Sequence, residues 1–453
     1  MIESRSPQRP DDLVVAVPAT SPEQVTAAVQ QSRGAQRGWR SAGAAARSAA
    51  LGAAADAVAA AAGELTDLVV REVGKPLGEA RGEVARSVAI LRYYAQQVFD
   101  PVGAVHEPSA GGLLLTRRRP RGVAGLITPW NFPLAIPLWK AAPALAFGNA
   151  VVLKPAPEAT ACALRLAELL GPALPGGVFT VLPGDADTGA ALVAQSDVVS
   201  FTGSVPAGRS VSAAATGRGV PVQAEMGGQN PAVVLPDADL EAAAAQIAGA
   251  AMGYAGQKCT ATKRVVVVGD PAPFRDALVA AVEQLAVGDP ADAATVVGPV
   301  IDAGARDRVL TATENLGGSG RVLTGGRTVP GEGWYVSPTL VEGVAPDHVL
   351  ACHEVFGPIT LLQSAPSLDA AIALANGVDY GLAAAVYTRD LATALQAAEE
   401  LEAGLVKVNA PTSGVDFYAP FGGEKDSSLG PREQGKAAVE HYTSVHTVTV
   451  APA

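Results

Sequence analysis

The sequence predicts an α/β protein: two units built on mostly parallel sheets flanked by helices, with a short β arm projecting from them. Three observations carry this. From Gly122 onward, short apolar runs alternate with amphipathic helical stretches, the rhythm of parallel strands joined by crossover helices. The 453 residues exceed a single compact core, at roughly 150 residues per domain. The stretch Gly112–Arg118 and the tail His441–Val450 each alternate in a way that suits a strand, and together they would pair as a hairpin arm.

The elements follow in order. Ser21-Pro22-Glu23-Gln24 reads as a capping box with Pro at the first helical position, and Val25, Ala28 and Val29 recur at helical spacing until Gly34. The opening third is mostly helical. The first α/β series is Val123–Ile127, Val151–Leu153, a helix over 159–170, Val178–Leu182, Val198–Phe201, a helix over 205–215 and Val220–Ala224. A second series, marking a second domain, runs through Asp239–Tyr254, Arg264–Val268, Phe274–Leu285, Thr360–Leu362, Leu368–Asn376, Ala384–Tyr387, Leu391–Leu401 and Leu405–Val408.

Composition narrows the function. Hydrophobic residues make up 49% and charged residues 17%, which describes a folded globular chain. A net charge of -11, with no basic run beyond Arg117-Arg118-Arg119, argues against nucleic acid or an anionic membrane as partner. The N-terminal MIESRSPQRPDD lacks an apolar signal region, and the Ala-rich stretch 41–63 carries Arg47 and Asp56, so a cytoplasmic location is expected. The three cysteines, Cys162, Cys259 and Cys352, form no C-x-x-C and the five histidines are scattered. Neither a disulfide framework nor a metal site is expected, so any cysteine chemistry is that of a thiol.

Several positions are candidates for chemistry. Val198–Gly208, VVSFTGSVPAG, is a strand, a glycine turn and a helix start, which would aim N–H groups at a phosphate or simply connect two elements. Lys154 ends the strand VVLKPA, at the edge where open sheets bind ligands, though a solvated strand-end lysine is commoner. Cys259 lies in GYAGQKCTA, where the ammonium of Lys258 would favour the thiolate; the competing reading is a small buried hydrophobe, which fits Cys162 well and is also taken for Cys352. Glu225 follows a strand and precedes Met226-Gly227-Gly228, as a general base or a surface charge. In the loop Thr128-Pro129-Trp130-Asn131-Phe132-Pro133, the Asn131 amide would meet a developing oxyanion, or serve turn geometry alone.

In combination these motifs are specific. PWNFP, VVLKPA, FTGS, EMGG, GQKC and EVFGP, in that order, resemble the aldehyde dehydrogenase superfamily from about residue 14 to the end. The resemblance implies a Rossmann-like cofactor domain (1–102 and 120–226), an α/β catalytic domain (227–435) and a small β oligomerisation arm (103–119 and 436–453). It implies that Cys259 attacks an aldehyde, that Asn131 and the Cys259 N–H hold the oxyanion, and that Glu225 activates the water that hydrolyses a thioester. Glu225 also argues against transfer to coenzyme A. For NAD or NADP it implies Lys154 at the adenosine ribose, Gly203 and Ser204 at the phosphates and nicotinamide, and Trp130, Thr128 and Gly227 lining the cleft. Glu354 with Phe356 would hold the nicotinamide ribose. Pro157 stands where NAD-preferring relatives often have a glutamate, with Glu158 next, so NADP is expected to be accepted and the preference stays open.

Residues 411–435 resemble the subgroup that oxidises 2-oxoglutarate semialdehyde (2,5-dioxopentanoate), with Phe417, Tyr418 and Phe421 as an aromatic wall of the substrate tunnel. Glu424 and Asp426 add negative charge there and no arginine is placed in the tunnel, so succinate semialdehyde or another small aldehyde is the alternative. A non-catalytic cofactor-binding protein and a thiol esterase are the rivals in function. The arm implies a homodimer or homotetramer. Relatives carry a strand pair ahead of the capping-box helix, and the sequence starts too close to Ser21 to hold it all, which predicts its loss.

Overall fold

The computed structural model describes residues 1–100, 103–316 and 320–452. Its first element corrects an expectation: Ile2–Ser6 and Arg9–Val17 form an antiparallel hairpin. Only Ile2, Ser4 and Ser6 of the first strand face inward. Small polar residues at inward positions give no apolar alternation, which is why the sequence hides the strand. Ser4 Oγ donates to the Glu158 carbonyl at 3.3 Å and Gln8 Nε2 to that of Val70 at 3.0 Å, tying the hairpin to the body.

Four helices follow: α1 (Pro22–Ser41), α2 (Gly43–Ala60), α3 (Ala62–Val73) and α4 (Leu77–Gln97). The capping box is present, with Gln24 N donating to Ser21 Oγ and Ser21 N to Gln24 Oε1. Helix α1 runs past Gly34 to Ser41 because its buried stripe continues through Gln36 and Trp39, whose indole N–H donates to Leu145 O at 2.9 Å. That anchoring outweighs the roughly 1 kcal/mol an interior glycine costs.

The first large sheet has six strands in the order Ser428–Leu429, Val222–Glu225, Val198–Thr202, Val123–Thr128, Ala150–Pro155 and Phe179–Val181, parallel except at its first pair. The second has seven, with Pro231–Val234 between Arg264–Val268 and Ala383–Tyr387. Residues 428–429, expected within the catalytic unit, instead join the first sheet and set Ser428 opposite Glu225. A two-residue antiparallel edge carries no periodic signal. Helix α5 (Ala135–Ala146) is buried along its whole length and packs on α4.

The arm is a three-stranded antiparallel sheet in the order Thr443–Val450, Leu113–Pro120 and Gly103–His106, with Val445 opposite Arg118. His441 and Tyr442, expected in the tail strand, instead end a short helix, Ala438–Tyr442, because both rings are buried in the body. The expected domain boundary at residue 102 lies outside the described residues. Among the described residues no helix is long and apolar enough to cross a membrane, and no group of three His, Cys, Asp or Glu side chains is placed to hold a metal ion.

Candidate active site

The first sheet reverses its order between Val123–Thr128 and Val198–Thr202: the chain first builds outward on one side, then returns to build on the other. Ligands bind at the carboxyl ends of strands at such a switch point. Thr128 and Thr202 end these two strands, and both hydroxyls are buried without a hydrogen-bond partner. Gly203 follows, its N–H donating to Glu225 O at 3.1 Å. A side chain there would strike the Phe201 ring at 2.6 Å. Ser204 occupies the N-cap of the helix Val205–Gly217 without a side-chain bond to its first turn. On the neighbouring strand Lys154 is buried, and its Nζ donates to Pro155 O and Gly184 O, both at 2.9 Å. Burial lowers its pKa, against the pull of Glu158 and Asp185. Pro157 begins a 3-10 turn over Pro157–Ala159.

Cys259 sits on a loop held from several sides. Tyr254 and Ala255 adopt left-handed backbone (φ 55° and 52°) and Gly256 follows at φ 63°. For the two non-glycine residues this costs about 1–2 kcal/mol each, so the surroundings must enforce it. They do. Asn131 Nδ2 donates to Gln257 O at 2.9 Å, and the Gln257 side chain accepts from Ile301 N. Asn230 Nδ2 donates to the carbonyls of Cys259 and Ala261, each at 2.8 Å. Lys263 Nζ donates to Gly256 O and Gly357 O, both at 2.9 Å, joining this loop to the one that carries Glu354.

The thiol environment corrects the expectation of a lysine-activated thiolate. Lys258 turns away and donates to Glu79 Oε1 on α4 at 2.7 Å. Burial, followed by the charges of Glu354, Glu225 and Glu433, pushes the Cys259 thiol up to about 12. The charges of three carboxylates therefore act on one thiol. Glu225 is buried at the end of its strand, accepting from Gln223 Nε2 at 2.9 Å and from Ser428 Oγ. Burial, then Glu433, raises it to about 8. Glu354 is raised to about 7 by burial, against the ammonium of Lys263, which burial lowers to about 8. One oxygen of Glu354 is buried without a partner, and a Cβ at Gly227 would meet the other at 2.1 Å.

Sequence reasoning missed two members of this cluster. Lys140, fully buried on α5, donates to Glu433 Oε2 at 2.6 Å and to Ser200 Oγ at 2.8 Å. The partners lie 293 residues apart, and the local signal was only a lysine inside an all-apolar helix. Aromatic rings complete the surroundings. Trp130 meets Phe356 edge-on at 5.7 Å and Tyr254 at 6.4 Å. Phe417 meets Tyr93 of α4 at 5.7 Å and Tyr418 at 5.5 Å. Tyr418 is mostly exposed, whereas Phe421 is buried against Trp139, so the three rings expected as one wall diverge. Cys162 is buried, its N–H donating to Glu72, and Cys352 Sγ donates to Pro346 O.

A profile of the aldehyde dehydrogenase family matches residues 1–448, spanning both sheets, the Cys259 loop and nearly all of the arm. The chain belongs to the aldehyde dehydrogenase family. It is an aldehyde dehydrogenase enzyme on the fold of that family. It is 38% identical to the Alpha-ketoglutaric semialdehyde dehydrogenase of Bacillus subtilis (strain 168), over 100% of this chain and 95% of that protein. It is 37% identical to a Betaine aldehyde dehydrogenase of Rhizobium leguminosarum bv. trifolii, over 99% of this chain and 94% of that one. Among solved structures it resembles PnpE of Pseudomonas sp. WBC-3 in complex with nicotinamide adenine dinucleotide. The TM-score is 0.95 and the identity 35%, over 99% of this chain and 94% of that chain. In this aldehyde dehydrogenase the N-terminal hairpin is kept.

Proposed function

We propose that this aldehyde dehydrogenase oxidises 2-oxoglutarate semialdehyde to the free acid, using Cys259 as nucleophile and Glu225 as base. The observation that carries the reading is the placement of one half-buried thiol on the Asn131-held loop, under the charges of buried Glu225 and Glu433 and partly buried Glu354. The likeness of residues 411–435 to the 2-oxoglutarate semialdehyde subgroup and the similarity to the Bacillus enzyme support the substrate.

A thiol near 12 needs a proton acceptor before it attacks. Ionised Glu225, oriented by Gln223 and Ser428, takes that proton as Sγ bonds to the carbonyl carbon. Asn131 spends one amide proton on Gln257 O, which fixes the amide and leaves the second proton for the oxyanion, alongside the Cys259 N–H. When bound, the cofactor supplies a hydride acceptor, and hydride loss from the thiohemiacetal carbon leaves a thioester on Cys259. Glu225, having released the first proton to solvent, then deprotonates a water that attacks the thioester carbon; the C–S bond breaks, freeing the acid and returning the sulfur of Cys259.

The residues present fit a nicotinamide dinucleotide. The orphan Glu354 oxygen would accept from a ribose hydroxyl, the Trp130 and Phe356 rings would flank the ring, and Thr128, Gly203 and Ser204 would face the phosphates. Lys154 would reach the adenosine ribose with its remaining proton. Pro157 puts no carboxylate against a 2′-phosphate, so NADP is accepted beside NAD, and Pro157→Glu should raise the NAD-over-NADP ratio of kcat/KM. The arm exposes Val105, Leu113, Val445 and Val450, which supports a homodimer or homotetramer.

The deciding experiment follows NADH and NADPH absorbance with 2-oxoglutarate semialdehyde, succinate semialdehyde and a simple aliphatic aldehyde, for the wild type and Cys259→Ala. Reduction that requires Cys259 and favours 2-oxoglutarate semialdehyde supports the proposal. Equal rates in Cys259→Ala would sink the mechanism, and preference for another aldehyde would sink the substrate.

A further inference from the structure

We propose that Arg86 is the residue that recognises the carboxylate at the far end of the aldehyde, with Lys407 beside it. This rests on the reading above that the substrate carries that carboxylate. Three residues of α4, namely Glu79, Arg86 and Tyr93, recur every seven positions, so they share one helix face with a drift of roughly 20° per step. Both ends of that face are anchored to the substrate side of the site. Glu79 accepts from Lys258, the residue before the nucleophile, and Tyr93 lies edge-on to Phe417 at 5.7 Å. Arg86 stands midway, about 10 Å along the axis from Glu79.

Its surroundings lack an anion to match. Arg86 is half-buried, and among the described residues it has neither a hydrogen bond nor an ion pair. Lys407, another cation, is near enough for the two charges to act on each other. Lys407 is half-buried, its Nζ donating to Ser413 O at 2.8 Å and Gly414 O at 2.6 Å, in the segment that leads to Phe417. Burial lowers the Lys407 pKa and Arg86 lowers it further, while Asp416 opposes both. Glu79 is already neutralised by Lys258. Two cations against one aspartate leave one positive charge in a partly desolvated place, which suits a single carboxylate. The other end of the substrate, the aldehyde carbon, would then lie toward Cys259.

The test compares kcat/KM for 2-oxoglutarate semialdehyde with that for pentanal, a neutral aldehyde of the same carbon count, in wild type, Arg86→Met and Arg86→Lys with NAD. The semialdehyde-over-pentanal ratio should fall on the order of 10- to 100-fold in Arg86→Met, as expected for a lost charged hydrogen bond, chiefly through KM, with partial recovery in Arg86→Lys. A wild-type preference for the semialdehyde that survives intact in Arg86→Met overturns the role of Arg86 and leaves the substrate reading standing. A wild type that prefers pentanal overturns both.

Discussion

A thiol held near 12 and a carboxyl held near 8 make the proton acceptor, and not the sulfur, the scarce reactant at neutral pH. The base form of Glu225 grows as pH rises through about 8, so kcat/KM should climb with unit slope below that pH and level above it. Glu225→Gln should lower kcat on the order of 100-fold or more and erase this limb; a retained limb would transfer the base role to Glu433 or Glu354. The same shift bears on stability. A carboxyl raised from its ordinary value of 4.5 stabilises the fold below that pH, and the contribution is lost as pH rises through about 8. The melting temperature of Glu225→Gln relative to wild type should therefore be higher at pH 9 than at pH 4.5 to 5. Cys259, Glu225 and Asn131 could be singled out in the sequence because their short motifs occur together in one order. The Lys258 misreading came from treating a chain neighbour as a spatial one: backbone turning at Gln257 and Lys258 sends that ammonium to Glu79.

The loop before the nucleophile is set by its left-handed run more than by any one contact. A methyl group on Gly256 would lie 2.2 Å from the Gly357 carbonyl, on backbone at φ 63°. Gly256→Ala should cost about 2 kcal/mol or more in urea unfolding, with activity falling further than stability because Cys259 is displaced. Wild-type stability would mean that the loop yields. Nothing local in GYAGQKC announces this conformation at Tyr254 and Ala255, since tertiary bonds, those of Gln257 and Lys263 among them, sustain it. The N-terminal hairpin was hidden for a related reason, its inward side being serine. At the tail, burial and the nearby cations Lys140 and Arg121 depress His441 to about 3, against its bond to the Val199 carbonyl. Its stabilising contribution is complete above the ordinary histidine pKa of 6.5 and is lost as pH falls toward 3. His441→Gln should weaken the acid dependence of the melting temperature over pH 6 to 4; an unchanged slope would assign that dependence to other groups.

Across the molecule, the two-sheet plan was legible because each crossover repeats the same strand-and-helix rhythm, and the aromatic and charged positions of the site fall at its strand ends. The antiparallel return of Ser428–Leu429 and the Lys140–Glu433 pair were not, since both join segments far apart in sequence that no local period links. The arm makes its own prediction. Removing residues 443–453, which leaves His441 and Tyr442 in place, should yield monomers or aggregates by light scattering, and unchanged assembly would move the subunit contact elsewhere. The stretch that supplies Glu433 to Lys140 runs on through the buried helix Ala438–Tyr442 directly into that arm. With the arm joining protomers as proposed, parting them would loosen the segment that carries Glu433. Specific activity should then depend on enzyme concentration, and a sharply diluted sample should lose rate slowly, with a lag on reconcentration that records the time subunits take to find each other.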